Sequence, residues 1–400
     1  MKWYVCTPVA FRGDISFFER DSGQWCRALH ACGVESRAVM PLPAGKDDVE
    51  DDLLRARGRD LESAGWWRSL GIDGVILYSW GLPRYTPVAR AIKRAGLALI
   101  VYLDSNGEMF PWRRWREGAA LMRRSLVHRY GPWAGAAAFA LKLGYAHTVK
   151  PFSFNWRHRA HLDLADLVGL PIPHALNVYA GMSLYGRLAG RLALMPAPVG
   201  ETFRRSGVEK EDLIVCIGRW DDAFAKRPRL LADCLERVLK RAPSVRVVIC
   251  GNGTPFLQAW LGSLPPEMHE RVAWKGYVSH DELPELLNRA RISLCTSQSE
   301  STHLVSEEAL CCGCSVVAPG HYGLEALAWY ASEDSGTIAA SDAAEALACA
   351  VLTEREHWAA GRRHASRIAE IWGERLHAAA TLPRILGQLG FSLAPCRDLG

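Results

Sequence analysis

Residues 213–228 read LIVCIGRWDDAFAKRP, and the fold turns on how this stretch is parsed. Leu213–Gly218 is a short apolar run, suited to a strand buried on both faces of a sheet. A polar loop follows. From Pro228 to Lys240 the apolar residues Leu230, Leu231, Cys234, Leu235, Val238 and Leu239 recur at the spacing of an amphipathic helix. The unit strand–loop–helix then repeats downstream. Val245–Cys250 (VRVVIC) is the next strand, closed by the turn Gly251-Asn252-Gly253, with a helix around Phe256–Leu261. Val272–Val278 is another, before a helix from about Asp281 to Ala290 that Ser279 and Glu282 introduce as a capping box. Ile292–Thr296, a helix over Thr302–Cys312 ended by Gly313, and the strand Ser315–Ala318 complete the series. Strands alternating with helices predict a parallel sheet with right-handed crossovers, a Rossmann-like domain.

Upstream the same theme is less regular. Lys2–Cys6 reads as a strand, Gly23–Cys32 as a helix, and Val34–Met40 as a second strand. Val75–Tyr78 and Leu97–Leu103 are buried-strand runs either side of a helix near Thr86–Ala95, and Ala175–Val178 and Leu192–Met195 are expected as the last strands. Pro196–Lys210 carries the proline and glycine of a linker. The expected organisation is therefore an α/β protein of two domains, 1–198 and 199–371, with a C-terminal helix over 372–400 packing back on the first. A chain of 400 residues is long enough to need two cores.

Composition excludes several classes. The chain is 49% hydrophobic and 23% charged, with no low-complexity tract, which argues against disorder. Cys216, Cys250 and Cys295 sit inside apolar runs, where cysteine is a small buried hydrophobe and not half of a disulfide. The N-terminus is interrupted by Pro8, Arg12 and Asp14 and does not read as a signal peptide; no charge-free apolar run is long enough to span a bilayer. The expected compartment is the cytoplasm.

Two loops hold the candidate chemistry. In Gly218–Pro228, Arg219 and Lys226 lie at the carboxyl end of a strand just before a helix, a pair suited to an anionic ligand such as a diphosphate. A solvated surface loop would carry the same residues. In Ser297–Ala309, Glu300 precedes the next helix and Glu308 lies two turns along it. The amides of Thr302, His303, Leu304 and Val305 would be unpaired helix-start donors, and a carboxylate grips a sugar diol by accepting two hydroxyl hydrogen bonds. Taken alone, the two glutamates read equally as a helix-dipole partner and a solvated charge.

The order of the pieces is what gives them meaning. The Gly218-Arg219…Lys226 loop, the glycine turn at 249–253, Gly276-Tyr277-Val278 and the Glu-x7-Glu-Ala stretch at 300–309 resemble, in that order, the glycosyltransferases of the GT-B fold, specifically the retaining family 4 (glycosyl transferases group 1). The resemblance covers the C-terminal domain well and the N-terminal one only in outline. It implies a hexosyltransferase that takes a nucleoside-diphosphate sugar as co-substrate and retains anomeric configuration, with no metal or other cofactor. Arg219, Lys226 and Glu300 would be its catalytic residues, the first two stabilising the leaving diphosphate and Glu300 meeting donor-sugar hydroxyls. Gly218, Gly251, Tyr277, Val278, Thr302, His303, Leu304, Val305 and Glu308 would bind the donor, Glu308 at the ribose. Two departures stand out: a wide gap between Arg219 and Lys226, and His303 where many relatives have a small residue. A sugar-nucleotide 2-epimerase of the same fold and a non-catalytic nucleotide-sugar-binding subunit are the alternatives.

The N-terminal half is expected to hold the acceptor, a glycan or a lipid-linked one. Gly13, in the loop after the first strand, and Asp104 and Asn106, after the Leu97–Leu103 strand, are its acceptor-side candidates, each also readable as a plain turn residue. Residues 111–160 hold ten Lys/Arg against one acid, Glu117, interleaved with Trp112, Trp115, Trp133, Phe139, Phe152, Phe154 and Trp156. That mixture suits peripheral contact with an anionic membrane, and no nucleic-acid fold signature accompanies it. Neither Cys311-Cys312-Gly313-Cys314 nor the histidines His147, His158, His161 and His174 have the spacing of a metal site.

Overall fold

A computed structural model describes residues 1–19, 21–49, 51–105, 107, 114–332 and 334–393. The chain divides into two compact units, Met1–Gly200 with Leu376–Gly400, and Glu201–Arg375.

The first unit is built on a seven-stranded sheet of β1 (Trp3–Cys6), β2 (Ala38–Pro41), β3 (Leu53–Ala56), β4 (Gly74–Tyr78), β5 (Ala98–Tyr102), β6 (Leu167–Leu170) and β7 (Leu192–Leu194). Its order is β3-β2-β1-β4-β5-β6-β7, with every pair parallel. Helices fill the faces, and Trp3, Trp25, Met40 and Tyr102 are buried among them. The last helix, Ala378–Gly387, closes this core with Leu382, Ile385 and Leu386. The crossover from β5 to β6 is unusual in carrying three helices, Trp115–Tyr130, Pro132–Thr148 and Lys150–Leu162.

The second unit has six parallel strands: β8 (Glu211–Ile217), β9 (Arg246–Cys250), β10 (Val272–Gly276), β11 (Ala290–Leu294), β12 (Ser315–Ala318) and β13 (Gly336–Ile338), in the order β10-β9-β8-β11-β12-β13. The helix Pro228–Arg241 buries Leu231, Cys234, Leu235, Val238 and Leu239 against Ile214, Val247 and Ile249, the stripe its spacing predicts. Strand order reverses between β8 and β11, since β9 and β10 lie to one side of β8 and β12 and β13 lie beyond β11. In an open α/β sheet the crevice outside the carboxyl ends at such a point is where ligands bind.

Two expectations need correction. Ala175–Val178 is not a strand but the middle of the helix Pro173–Gly181, which begins with proline in its first turn. The strand is Leu167–Leu170 instead. Gly169 within it lies where a β-carbon would come within 2.6 Å of the Met195 sulfur, so packing demands a residue that weakens the strand signal. The helix expected from Thr302 starts at Leu304, with His303 as its N-cap residue. Every cysteine among the described residues is a free thiol, all buried except Cys349.

Candidate active site

The loops that follow β8 and β11 meet at the switch point of the second unit. Several bonds join them, among them one from the Lys226 ammonium to the Ser297 hydroxyl at 3.4 Å. The Thr296 hydroxyl donates to the Lys226 carbonyl at 2.6 Å, the Gln298 amide donates to the Ala225 carbonyl at 2.7 Å, and the Lys226 ammonium donates to Glu300 Oε1 at 2.5 Å. The Glu300 backbone is held in turn by its own amide on the Gly323 carbonyl at 2.9 Å. Lys226 and Glu300, separated by 74 residues in sequence, are thus fixed as an ion pair by backbone contacts on both sides.

The wide spacing after Arg219 has a structural use. Asp222 caps a single helical turn, Ala223–Lys226, by accepting from the Ala225 amide at 3.0 Å. Arg227 then takes the left-handed conformation at φ 53°, and the long helix starts at Pro228. This turn lifts Lys226 to the β11 loop. Arg219 stays exposed at the strand end, with no hydrogen bond or ion pair from its side chain to another described residue.

Three glycines close the base. The Gly218 amide donates to the Cys250 carbonyl at 3.2 Å, and the Gly251 amide to the Gly276 carbonyl at 2.5 Å. Gly251 has φ 112°, and a β-carbon there would stand 1.9 Å from the Gly218 carbonyl oxygen. No other residue fits that conformation and that space. Beyond Gly276, Tyr277 is exposed and Val278 half-buried.

The helix Leu304–Cys311 supplies the remaining groups. Its first bonds run from the Ser306 and Glu307 amides to the His303 carbonyl, at 2.8 and 3.2 Å. The amides of Leu304 and Val305 have no acceptor among the described residues, and Thr302 lies in the loop ahead of them. The His303 ring is buried beside Cys295, with Nδ1 2.8 Å from the Ser306 hydroxyl. Burial first, and the Lys226 charge second, push its pKa down to about 4, so it is neutral at pH 7. Glu307 and Glu308 point to different tasks. Glu307 is fully buried and accepts from the Tyr330 hydroxyl at 2.7 Å; Glu308 meets His280 Nε2 at 2.8 Å, and that ring packs edge-on against Phe203. His280 was not legible in sequence: it lies in the loop after β10, 28 residues before its partner.

Among the candidates in the first unit, Gly13 is bound within its own unit. Its amide donates to Asp48 Oδ1 at 3.0 Å, and Asp48 is gripped by both ends of the Arg55 fork at 2.8 Å. Asp104 has φ 36° and accepts from the Tyr78 hydroxyl at 2.8 Å. Asn106 lies outside the described residues. The sequence-flagged histidines His158 and His161 are buried and bonded to Tyr185 at 2.7 Å and Ser79 at 3.0 Å. Cys314 donates to the Leu287 carbonyl at 2.9 Å. No cluster of three or more metal-ligating side chains occurs among the described residues.

Comparison with known proteins agrees with this geometry. Residues 211–354 match the family model described as "Glycosyl transferases group 1". HepE of Anabaena, solved with UDP, is similar in structure with a TM-score of 0.64 at 15% identity, covering 98% of this chain and 100% of its own. The lipopolysaccharide outer core galactosyltransferase WaaB has a TM-score of 0.59 at 14% identity over 98% of this chain and 99% of that one. Sucrose-phosphate synthase of Thermosynechococcus elongatus has a TM-score of 0.58 at 15% identity over 98% of each chain. A search of curated protein sequences gave no match. The two parallel-sheet units have the GT-B architecture. The family match falls on the second unit, at 211–354, and the likeness to the solved structures is one of fold.

Proposed function

We propose that the protein is a retaining hexosyltransferase that moves its sugar from a nucleoside-diphosphate donor to a glycan or lipid-linked acceptor without a metal ion. The observation that carries the reading is the Lys226–Glu300 pair at the switch point, 2.5 Å apart, with Glu308 and the free amides of Leu304 and Val305 on the adjoining helix.

In this scheme the bond from the sugar's anomeric carbon to the diphosphate breaks. The ammonium of Lys226 and the guanidinium of Arg219 stabilise the negative charge left on the phosphate oxygens. The amides of Leu304 and Val305 add the positive end of a helix to the same charge. The acceptor hydroxyl bonds to the anomeric carbon on the face the diphosphate leaves, and its proton passes to a phosphate oxygen. Glu300 accepts from hydroxyls of the donor sugar and Glu308 from those of the ribose, while Gly218, Gly251, Tyr277 and Val278 frame the nucleotide. Two cationic side chains and a helix start then supply the electrostatics that a divalent ion gives elsewhere. Complexes of HepE with UDP and with UDP-glucose support a uridine diphosphate hexose as the first donor to try.

The test is a calorimetric binding screen over nucleotide sugars with chelator present, followed by proton NMR of the anomeric signals with candidate acceptors. Tight binding and an axial-to-axial or equatorial-to-equatorial product bear out the reading. An inverted product, or activity abolished by the chelator, refutes the corresponding part. Isomerisation at C2 of the unspent sugar nucleotide would establish the epimerase alternative.

A further inference from the structure

The three-helix crossover of the first unit has an exposure pattern that its sequence does not predict for a water-facing surface. The helix Pro132–Thr148 reads PWAGAAAFALKLGYAHT, and only Gly135 and Ala146 are buried. Trp133 is 89% exposed and Leu141 77%; next door on the helix Lys150–Leu162, Phe152 is 82% and Trp156 64% exposed. A helix that is apolar nearly all round belongs in a core or in lipid. Here it stands on the surface, anchored along one edge. The helix Trp115–Tyr130 packs against it so closely that a β-carbon at Gly135 would lie 2.5 Å from the Val127 Cα.

Charge decides what covers it. Arg116, Arg123, Arg129, Lys142 and Arg157 are exposed on the same three helices, and Glu117 is the single acid in 114–162. A second copy of this chain would bring two cationic surfaces together. An anionic lipid surface satisfies both the apolar and the basic groups. Beside the end of the helix, a cavity of about 260 Å³ is lined by Arg84, Arg157, Tyr145, Ser153 and Phe154. Leu82 and Pro83 complete its lining, and its two guanidinium groups suit the phosphate of a lipid headgroup. At 17 residues the helix is about 25 Å long, short of the roughly 30 Å of a hydrocarbon core. No helix among the described residues is long and apolar enough to cross a membrane.

We propose that the helical crossover Trp115–Leu162 is an interfacial docking element for anionic phospholipid bilayers, with the helix Pro132–Thr148 lying in the plane of the headgroups. The inference does not depend on which sugar or acceptor the enzyme uses. It is tested by sedimenting the full chain with vesicles of phosphatidylcholine, with and without phosphatidylglycerol. The protein is expected to bind the phosphatidylglycerol vesicles, to release them as salt rises, and to ignore pure phosphatidylcholine. The variant W133E/L141E/F152E changes only exposed side chains and is expected to bind at least about tenfold more weakly, a change of about 1.4 kcal/mol. On the wild-type chain, amide hydrogen exchange over 132–148 is expected to slow when those vesicles are added, a readout that needs no variant. No sedimentation with either vesicle overturns the proposal, as does binding that the triple variant leaves unchanged. A wild-type dimer in ultracentrifugation that the variant makes monomeric overturns it in favour of a second copy.

Discussion

Replacing Lys226 by alanine separates a catalytic lysine from a structural one. The side chains of Lys226 and Glu300 are 15% and 16% exposed, so their pair lies between two limits. Exposed pairs contribute about 0–1 kcal/mol. Breaking a fully buried pair costs about 3–5 kcal/mol, because a charge is left without a partner. An intermediate loss of about 2 kcal/mol is expected, or a fall of about 4–8 °C in Tm for a domain of this size. The effect on turnover is larger. If Lys226 faces charge that develops on the leaving diphosphate, its removal lowers kcat by about 10²–10³-fold, as loss of one preorganised donor does elsewhere. Glu300→Gln leaves a hydrogen-bond acceptor for Lys226 and lowers Tm less. The assay is initial-rate release of nucleoside diphosphate at saturating donor, alongside thermal melts of each variant. A Lys226→Ala protein with lowered Tm and wild-type kcat would refute the catalytic role and leave only an ion pair.

Glu308→Gln should raise KM for the nucleotide sugar about 10–100-fold with a smaller change in kcat, since a hydrogen bond to a charged group is worth about 1.5–3 kcal/mol; titration calorimetry with the nucleotide alone should show the same loss. Gly251→Ala places a β-carbon 1.9 Å from the Gly218 carbonyl oxygen at φ 112° and should cost about 3 kcal/mol or more, read from the urea midpoint. His303 holds its pKa at about 4 against an ordinary 6.5, so between those values the unfolded chain binds a proton that the native one refuses. Its contribution is complete above pH 6.5 and is lost as pH falls toward 4. His161, also at about 4 through burial, acts in the same direction in the first unit. Urea midpoints from pH 7 to 4.5 should therefore fall less steeply in His303→Asn than in wild type, and equal slopes would mean that the native ring takes up its proton as the unfolded one does.

The second unit was legible because its strands carry short apolar runs, such as Leu213–Ile217 and Val247–Cys250, and because the helix Pro228–Arg241 shows a clean stripe. Ser315–Ala318 runs between the bounds read from sequence. The first unit hid its pattern. Leu53–Ala56 includes Arg55, whose fork holds Asp48, so β3 carries no apolar run. Leu167–Leu170 is interrupted by the glycine that Met195 requires. In the candidate site, residue types and order pointed to Lys226, Glu300 and Glu308 one by one. That the first two pair with each other, and that His280 holds the third, depends on which strands become neighbours. Nothing in local sequence encodes that adjacency.

At the ends of β8, β9 and β10, Gly218, Gly251 and Gly276 present backbone without side chains of their own. A surface without side chains offers substitution nothing to vary. Mutation there changes whether the domain folds, and hardly ever what it prefers. If the donor binds as proposed, preference for it is set in the walls, at 277–280 and 300–308, which makes those two segments the place to randomise when the preference is to be altered.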